Sequence, residues 1–200
     1  AEWLEAEPVA VWQAACTLAQ LTPGTGLSGY REPEEALLRA ISPAFAYLRW
    51  EEAPREGLLA DLGAGAGALG AGIAILCPGL EVHLVDRAQR AFTVCELLAA
   101  RLELGNLHAV WLAAGEGAGE RLRYDAVVFR ALARGPKALQ LALSITSERA
   151  FIGAYHRAAD PWYNAAQDTG VGIRRLGTVP TPVEGLAMTG YLVASAYSPQ

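Results

Sequence analysis

Asp61, Gly63, Gly65 and Gly67 recur at every second position in Asp61-Leu62-Gly63-Ala64-Gly65-Ala66-Gly67. Glycine has no Cβ and reaches positive φ, so such a turn lets a bound group lie against bare backbone. The next apolar run, Glu81-Val82-His83-Leu84-Val85, ends on Asp86. An acid about 20 residues past a glycine turn is placed to accept hydrogen bonds from ribose hydroxyls. A second reading of Asp86 is a cap for the helix starting near Ala88, since aspartate is a favoured N-cap. The chemistry this spacing serves is the holding of a nucleoside cofactor.

The choice of cofactor turns on Asp61. A carboxylate inside the end of the first strand would repel a pyrophosphate. It can instead order the loop or accept hydrogen bonds from a methionine ammonium. The Asp-x-Gly-x-Gly-x-Gly pattern therefore suits S-adenosyl-L-methionine better than a dinucleotide, whose loop reads Gly-x-Gly-x-x-Gly. No Gly-Lys-Ser/Thr occurs, so a phosphate-binding P-loop is excluded.

Three further places are candidates. The apolar run Tyr124-Asp125-Ala126-Val127-Val128-Phe129 delivers Arg130 to the carboxyl edge of a sheet, where α/β sites lie. Its guanidinium could meet a carboxylate, a phosphate or a base there, or simply pair with a surface glutamate. Ala113-Ala114-Gly115-Glu116 offers small residues and amides for an adenine slot, or a plain loop. His156 and Arg157 follow the fifth strand at the same edge and could face a substrate, although a histidine on a loop is more often solvated. No Ser/His/Asp set and no metal-ligand spacing stands out.

The elements that must carry these residues read as follows. Residues 3–20 have helical apolar spacing, with Pro8 near a helix start. A loop covers 21–26, and a second helix runs from Pro33 through Ile41 until Pro43 bends or interrupts it. From Gly57 the pattern alternates strand and helix, the mark of a parallel sheet. Strands are predicted near 57–62, 81–85, 107–112, 124–129, 149–154, 172–179 and 188–197. Helices are predicted near 67–76, 88–104, 136–146 and 160–167. The last two strands, linked by Pro180-Thr181-Pro182-Val183-Glu184-Gly185, read as an antiparallel hairpin closing the sheet edge. The division is an N-terminal helical extension, 1–54, and a cofactor-binding domain, 55–200.

Bulk properties set bounds. The chain has 200 residues, 52% of them hydrophobic, which is enough for one substantial core. The net charge of −5 argues against a surface devoted to gripping RNA, although an arginine patch remains compatible with it. Cys16, Cys77 and Cys95 are few and far apart, with neither a disulfide framework nor zinc spacing, which fits a reducing cytoplasm. The apolar runs are too short or too glycine-rich to span a bilayer, and the N-terminus lacks the basic start of a signal peptide.

These motifs carry a family resemblance. Asp61 to Gly67 with Gly70, Asp86 and the step Phe129-Arg130-Ala131 resembles the 16S rRNA guanine-N7 methyltransferases, also called glucose-inhibited division protein B. Leu27-Ser28-Gly29-Tyr30-Arg31-Glu32-Pro33 is similar to that family's Asn-Leu-Thr-Ser-Val-Arg-Asp-Pro segment. Leu102-Glu103-Leu104-Gly105-Asn106 is similar to its Leu-Gly-Leu-Glu-Asn turn. The likeness spans about residues 25–197 and is sharp at the glycine loop.

The resemblance implies a class I S-adenosyl-L-methionine-dependent methyltransferase fold. That is a Rossmann-like α/β sheet of seven strands with a C-terminal antiparallel hairpin and a small N-terminal helical extension. It implies contacts to the cofactor from Gly63, Ala68, Ala114, Gly115 and Arg130, added to Asp61, Gly65, Gly67 and Asp86 from the motif. It implies 16S rRNA or the small ribosomal subunit as partner and a cytoplasmic location. Departures accompany it. The family's proline after the loop is Leu69 here. Its His-x-x-Asp pair becomes Ala40-Ile41-Ser42-Pro43, and its Glu-Arg-His-Leu becomes Thr189-Gly190-Tyr191-Leu192. Its lysine after the fifth strand falls at His156, so His156 or Arg157 could take that lysine's role, and His156 is the candidate catalytic partner of Arg130. Loss of RNA-facing charge leaves a protein or small-molecule partner open. The alternative reading is a catalytically reduced cofactor-binding or protein-interaction module on the same fold. A nicotinamide enzyme is disfavoured by Asp61 and the closing hairpin.

Overall fold

The computed structural model describes residues 3–112, 123–133, 135–160 and 172–193. Helix α1 (Trp3–Leu21) leads into a loop and a short helix α2 (Pro33–Ala36), followed by a π turn, Leu37–Ile41, and a 3-10 segment, Ser42–Arg49. Then come β1 (Gly57–Leu62), α3 (Ala68–Leu76), β2 (Leu80–Asp86), α4 (Gln89–Leu102), β3 (Leu107–Trp111) and β4 (Tyr124–Arg130). The chain continues through α5 (Gly135–Leu143), β5 (Thr146–Arg157), β6 (Ile173–Pro180) and β7 (Leu186–Val193).

The strands form one seven-stranded sheet in the order β3-β2-β1-β4-β5-β7-β6. The first five are parallel, and β7 runs antiparallel to both β5 and β6. The order reverses direction between β1 and β4, so the crevice at their carboxyl ends is where a doubly wound sheet places a ligand. The expected hairpin is β6–β7; the expected helix at 160–167 and strand residues 194–197 lie outside the described residues.

Period-2 alternation divides the side chains between two layers. Leu59, Val82, Leu84, Ala126, Val128, Phe151 and Tyr155 belong to a core shared with α1, the 3-10 segment and α3. Ala60, Leu62, Val85, Val127, Phe129, Ile152 and Ala154 belong to the opposite core, which includes Ala138, Leu139 and Ala142 of α5. The N-terminal segment is part of the first core through Leu18, Tyr47 and Trp50. Tyr47 and Phe151 meet edge to face with ring centroids 5.7 Å apart.

Two local expectations need correction. Pro8 lies inside α1 rather than at its start; the Leu4–Glu7 stretch ahead of it is made of good helix formers. The second helix does not stay α-helical as far as Ile41 but widens into the π turn. Pro43 explains the break, because it has no N–H for the carbonyl of Arg39 four residues back. Ser42 bonds through its backbone N–H to Leu37 and through its hydroxyl to Leu38, 2.7 Å away.

Candidate cofactor site

Alternation also assembles the site. Asp61 follows Leu59 on β1, Asp86 follows Leu84 on β2, and Arg130 follows Val128 on β4. All three therefore project on the same face, at the carboxyl ends of three adjacent strands. A cavity of about 290 Å³ opens there. One wall is the glycine loop with Asp61, Gly63 and Gly65; the other is the N-terminal segment with Leu27, Ser28 and Tyr30; Arg130 and Ala131 complete the rim.

The loop wall is knit together internally. Gly63 and Ala64 both donate their N–H to the carbonyl of Val85, and Gly67 donates to Ala64. Gly65 donates to Asp86 Oδ2 at 3.0 Å. These four amides have partners within the protein, so they are not held out for a pyrophosphate. Gly65 has φ +59 and no atom within 4 Å of a notional Cβ, so conformation rather than crowding calls for glycine there. Gly67 has φ +78, and a Cβ would come within 2.8 Å of Leu84 and 3.0 Å of Leu98. Ala131, next to Arg130, holds φ +55, an uncommon conformation for a residue with a Cβ.

Asp61 is 2% exposed, and its Oδ2 accepts the Gly70 N–H at 2.8 Å. Burial pushes its pKa up to about 6, against the opposing pull of the Gly70 hydrogen bond and the Arg130 charge. Little else in the first turn of α3 is polar, so a cationic group entering the cavity would find this carboxylate as its buried anion.

Asp86 has both oxygens engaged with backbone. While Oδ2 holds Gly65, Oδ1 accepts the Ala88 N–H at 2.9 Å. Ala88 itself occupies the N-cap position of α4. The capping alternative is thus corrected in detail: Asp86 ties the chain just ahead of the helix and ties the glycine loop to the end of β2.

Arg130 is half-buried and donates from Nη1 to the carbonyl of Arg39 at 3.1 Å, rather than pairing with a glutamate. That carbonyl is the one Pro43 leaves without its helical donor. Arg90 of α4 makes a similar short bond from Nη2 to the carbonyl of Gly24. Two arginines from the sheet half therefore fasten the N-terminal segment by its backbone. Arg31 and Arg39 are exposed on that segment, close in sequence to Glu32, Glu34 and Glu35, and Arg39 lies 3.8 Å from Glu35.

His156 is not on a loop. Strand β5 extends to Arg157, three residues past the expected end, because β7 pairs with it that far. Alternation puts His156 with Ile152 and Ala154, on the face opposite Asp61 and Arg130. It is 6% exposed and does not line the cavity. Its Nδ1 lies 2.8 Å from the Arg157 carbonyl and its Nε2 2.8 Å from Thr189 Oγ1. The carbonyl can only accept, so Nδ1 carries the proton and Nε2 accepts from Thr189. Burial lowers the His156 pKa, which favours that neutral ring. Arg157 is exposed.

Of the candidate residues, Asp61, Gly63, Gly65, Ala68 and Arg130 line the cavity, and Asp86 is not among its lining residues. Gly67 shapes the turn beneath it, and Ala114 and Gly115 lie outside the described residues. Leu18, Ser28, Tyr30 and Ala40 are cavity residues that the sequence reading did not select. The one available signal was the family-like segment Leu27 to Pro33. Among the described residues no group of His, Cys, Asp and Glu could hold a metal, and no helix is long and apolar enough to cross a membrane.

The fold is that of the class I methyltransferases. Ribosomal protein L11 methylase from Lactobacillus delbrueckii subsp. bulgaricus superposes with a TM-score of 0.59 at 16% identity, over 84% of this chain and 81% of that one. Sequence defines the particular family. The model of rRNA small subunit methyltransferase G matches residues 14–168, and the chain belongs to that family. Ribosomal RNA small subunit methyltransferase G of Beutenbergia cavernae is 36% identical over 132 residues, 66% of this chain and 61% of that protein. The protein of the same name from Desulfitobacterium hafniense (strain Y51) is 32% identical over 145 residues, 71% of this chain and 58% of that protein. The chain thus spans about three fifths of the length of these curated relatives.

Proposed function

We propose that the chain binds S-adenosyl-L-methionine in this cavity and methylates N7 of a guanine in small-subunit rRNA, in the cytoplasm. The observation that carries the cofactor assignment is the loop wall: its amides are turned inward while a buried carboxylate, Asp61, remains at the cavity. That arrangement suits an amino-acid ammonium and not a pyrophosphate. The cavity volume lies at the lower end of the range for small-molecule sites, about 300–1,000 Å³.

The bound cofactor supplies an electrophilic methyl group on a sulfonium. Asp61 holds the ammonium end, and Gly63, Gly65, Gly67 and Ala68 let the chain of the ligand lie close to the backbone. Asp86, at the end of β2, would accept the ribose hydroxyls on the carboxylate that already holds the Gly65 and Ala88 amides. Ala114 and Gly115 take the adenine edge by resemblance. Guanine N7 is a lone-pair acceptor, so the residues need only align it and exclude water; no general base is required. Arg130, which lines the cavity, would orient the cofactor, the acceptor or both. His156 keeps the hairpin in register from the opposite face, and its placement assigns it no proton to move in the reaction. The exposed arginines Arg31 and Arg39 are the groups available to RNA phosphates.

The test is methyl transfer from labelled S-adenosyl-L-methionine to unmodified small ribosomal subunits and to free 16S rRNA, with the product mapped by mass spectrometry. Label at guanine N7 is the expected result. Binding of the cofactor without transfer to either RNA would favour the alternative of a cofactor-binding module with another partner.

A further inference from the structure

Within the cavity, one polar atom has no account. Ser28 Oγ is buried and has no hydrogen-bond partner among the described residues. Ser28 lines the cavity on the N-terminal wall, across from Asp61 and the glycine loop. A buried hydroxyl without a partner carries an unrecovered desolvation cost. The Tyr155 hydroxyl is also unpartnered among the described residues, but it lies under the sheet face and does not line the cavity.

The loop wall shows what Ser28 could serve. An amino-acid ligand brings an ammonium and a carboxylate. The ammonium has Asp61. The carboxylate needs donors, and the amides of Gly63, Ala64, Gly65 and Gly67 are already engaged. The remaining donors on the cavity side chains are the Arg130 guanidinium and the Ser28 and Tyr30 hydroxyls, and of these Ser28 Oγ is the one buried without a partner among the described residues. Resting on the cofactor assignment above, we propose that Ser28 donates a hydrogen bond to the α-carboxylate of S-adenosyl-L-methionine. Recognition of the amino-acid end is thereby shared between the two walls. The loop wall takes the positive group, and the N-terminal segment, fastened by Arg90 and Arg130, brings the hydroxyl to the negative one. Ser28 is then a ligand-binding residue for which the glycine-loop motif makes no provision.

The experiment is calorimetric titration of the full chain and its Ser28→Ala and Ser28→Thr variants. The probes are S-adenosylhomocysteine and its decarboxylated analogue, which keeps the ammonium and lacks only the carboxylate. Ser28→Ala should weaken S-adenosylhomocysteine about tenfold, the size expected for one hydrogen bond to a charged group. It should leave the decarboxylated analogue unchanged, and Ser28→Thr should restore affinity. Equal weakening of both ligands would overturn the proposal in favour of a purely structural Ser28, and unchanged binding of S-adenosylhomocysteine would overturn it outright. If the folded wild type binds no S-adenosylhomocysteine, the cofactor assignment itself falls and takes this role with it.

Discussion

The two walls of the cavity are built by different physics. The glycine-loop wall is closed on itself: backbone amides meet Val85, Ala64 and Asp86, and Gly70 meets Asp61. The N-terminal wall is a segment of loop, π turn and 3-10 helix. It is fastened by two arginine side chains that grip the carbonyls of Gly24 and Arg39. The first wall has its shape fixed by its glycine turns and by backbone bonds to the end of the adjacent strand β2. The second depends on tertiary contacts, which makes it the place where affinity and closure can be tuned without disturbing the fold. Family members that share the loop can therefore differ on this side.

The largest effect that would test this contrast is at Gly67. Gly67→Val adds atoms against Leu84 and Leu98 at a positive φ. Overpacking and backbone strain together should cost about 3–5 kcal/mol, lowering the melting temperature by about 10 °C or more. A melting curve unchanged by this substitution would mean that the loop wall is not rigid.

Next is Asp86→Ala, which removes the acceptor of Gly65 and the proposed ribose contact together. S-adenosylhomocysteine affinity should fall by about a hundredfold, two charge-assisted hydrogen bonds' worth, as read by calorimetry. A loss below threefold would deny Asp86 a place in the ligand site.

The Asp61 carboxylate predicts a pH dependence. Its folded pKa, about 6, lies above the ordinary carboxylate value, so the native state binds this proton more tightly than the unfolded chain. Burial of the charged form therefore penalises stability above about pH 6, and the penalty disappears as pH falls toward the unfolded value of 3.8. Binding of an ammonium has the opposite sense, since it needs the carboxylate charged. Affinity for S-adenosylhomocysteine should drop about tenfold from pH 7 to pH 5, while Asp61→Asn should bind weakly with no such slope. Affinity that rises on acidification would contradict the role given to Asp61.

The smaller effects separate the N-terminal wall from the distal hairpin. Arg90→Ala removes one of the two fastenings, so S-adenosylhomocysteine should dissociate about three- to tenfold faster, the loss of one exposed charge-assisted bond. Hydrogen exchange should rise at residues 24–30 and stay unchanged in β1. His156→Phe leaves Thr189 without its ring partner and should cost about 1–3 kcal/mol of stability, with ligand affinity intact. A loss of affinity from this variant would return His156 to the site.

Much of the loop wall was legible in the sequence because its determinants are local. Alternation in β1, β2 and β4 gives both the strands and the face on which Asp61, Asp86 and Arg130 fall. Positive-φ turns call for glycine, and the Asp-x-Gly-x-Gly-x-Gly spacing records them. The second wall left fainter marks. Pro43 announced an interruption, but not that the freed carbonyl of Arg39 would be taken by Arg130, ninety-one residues away. Ser28 looked like any loop serine, since its lack of a partner exists only once the N-terminal segment is folded over the loop. His156 was misplaced because pairing with β7, a contact distant in sequence, lengthens β5 beyond its local apolar pattern. Non-local partners, rather than weak propensities, account for each of these differences.

The most direct test of the central claim is a calorimetric titration of the wild-type chain with S-adenosylhomocysteine, with NADH as control. The account predicts one S-adenosylhomocysteine bound per chain and no heat with NADH. Binding of NADH, or a folded protein indifferent to S-adenosylhomocysteine, would contradict it.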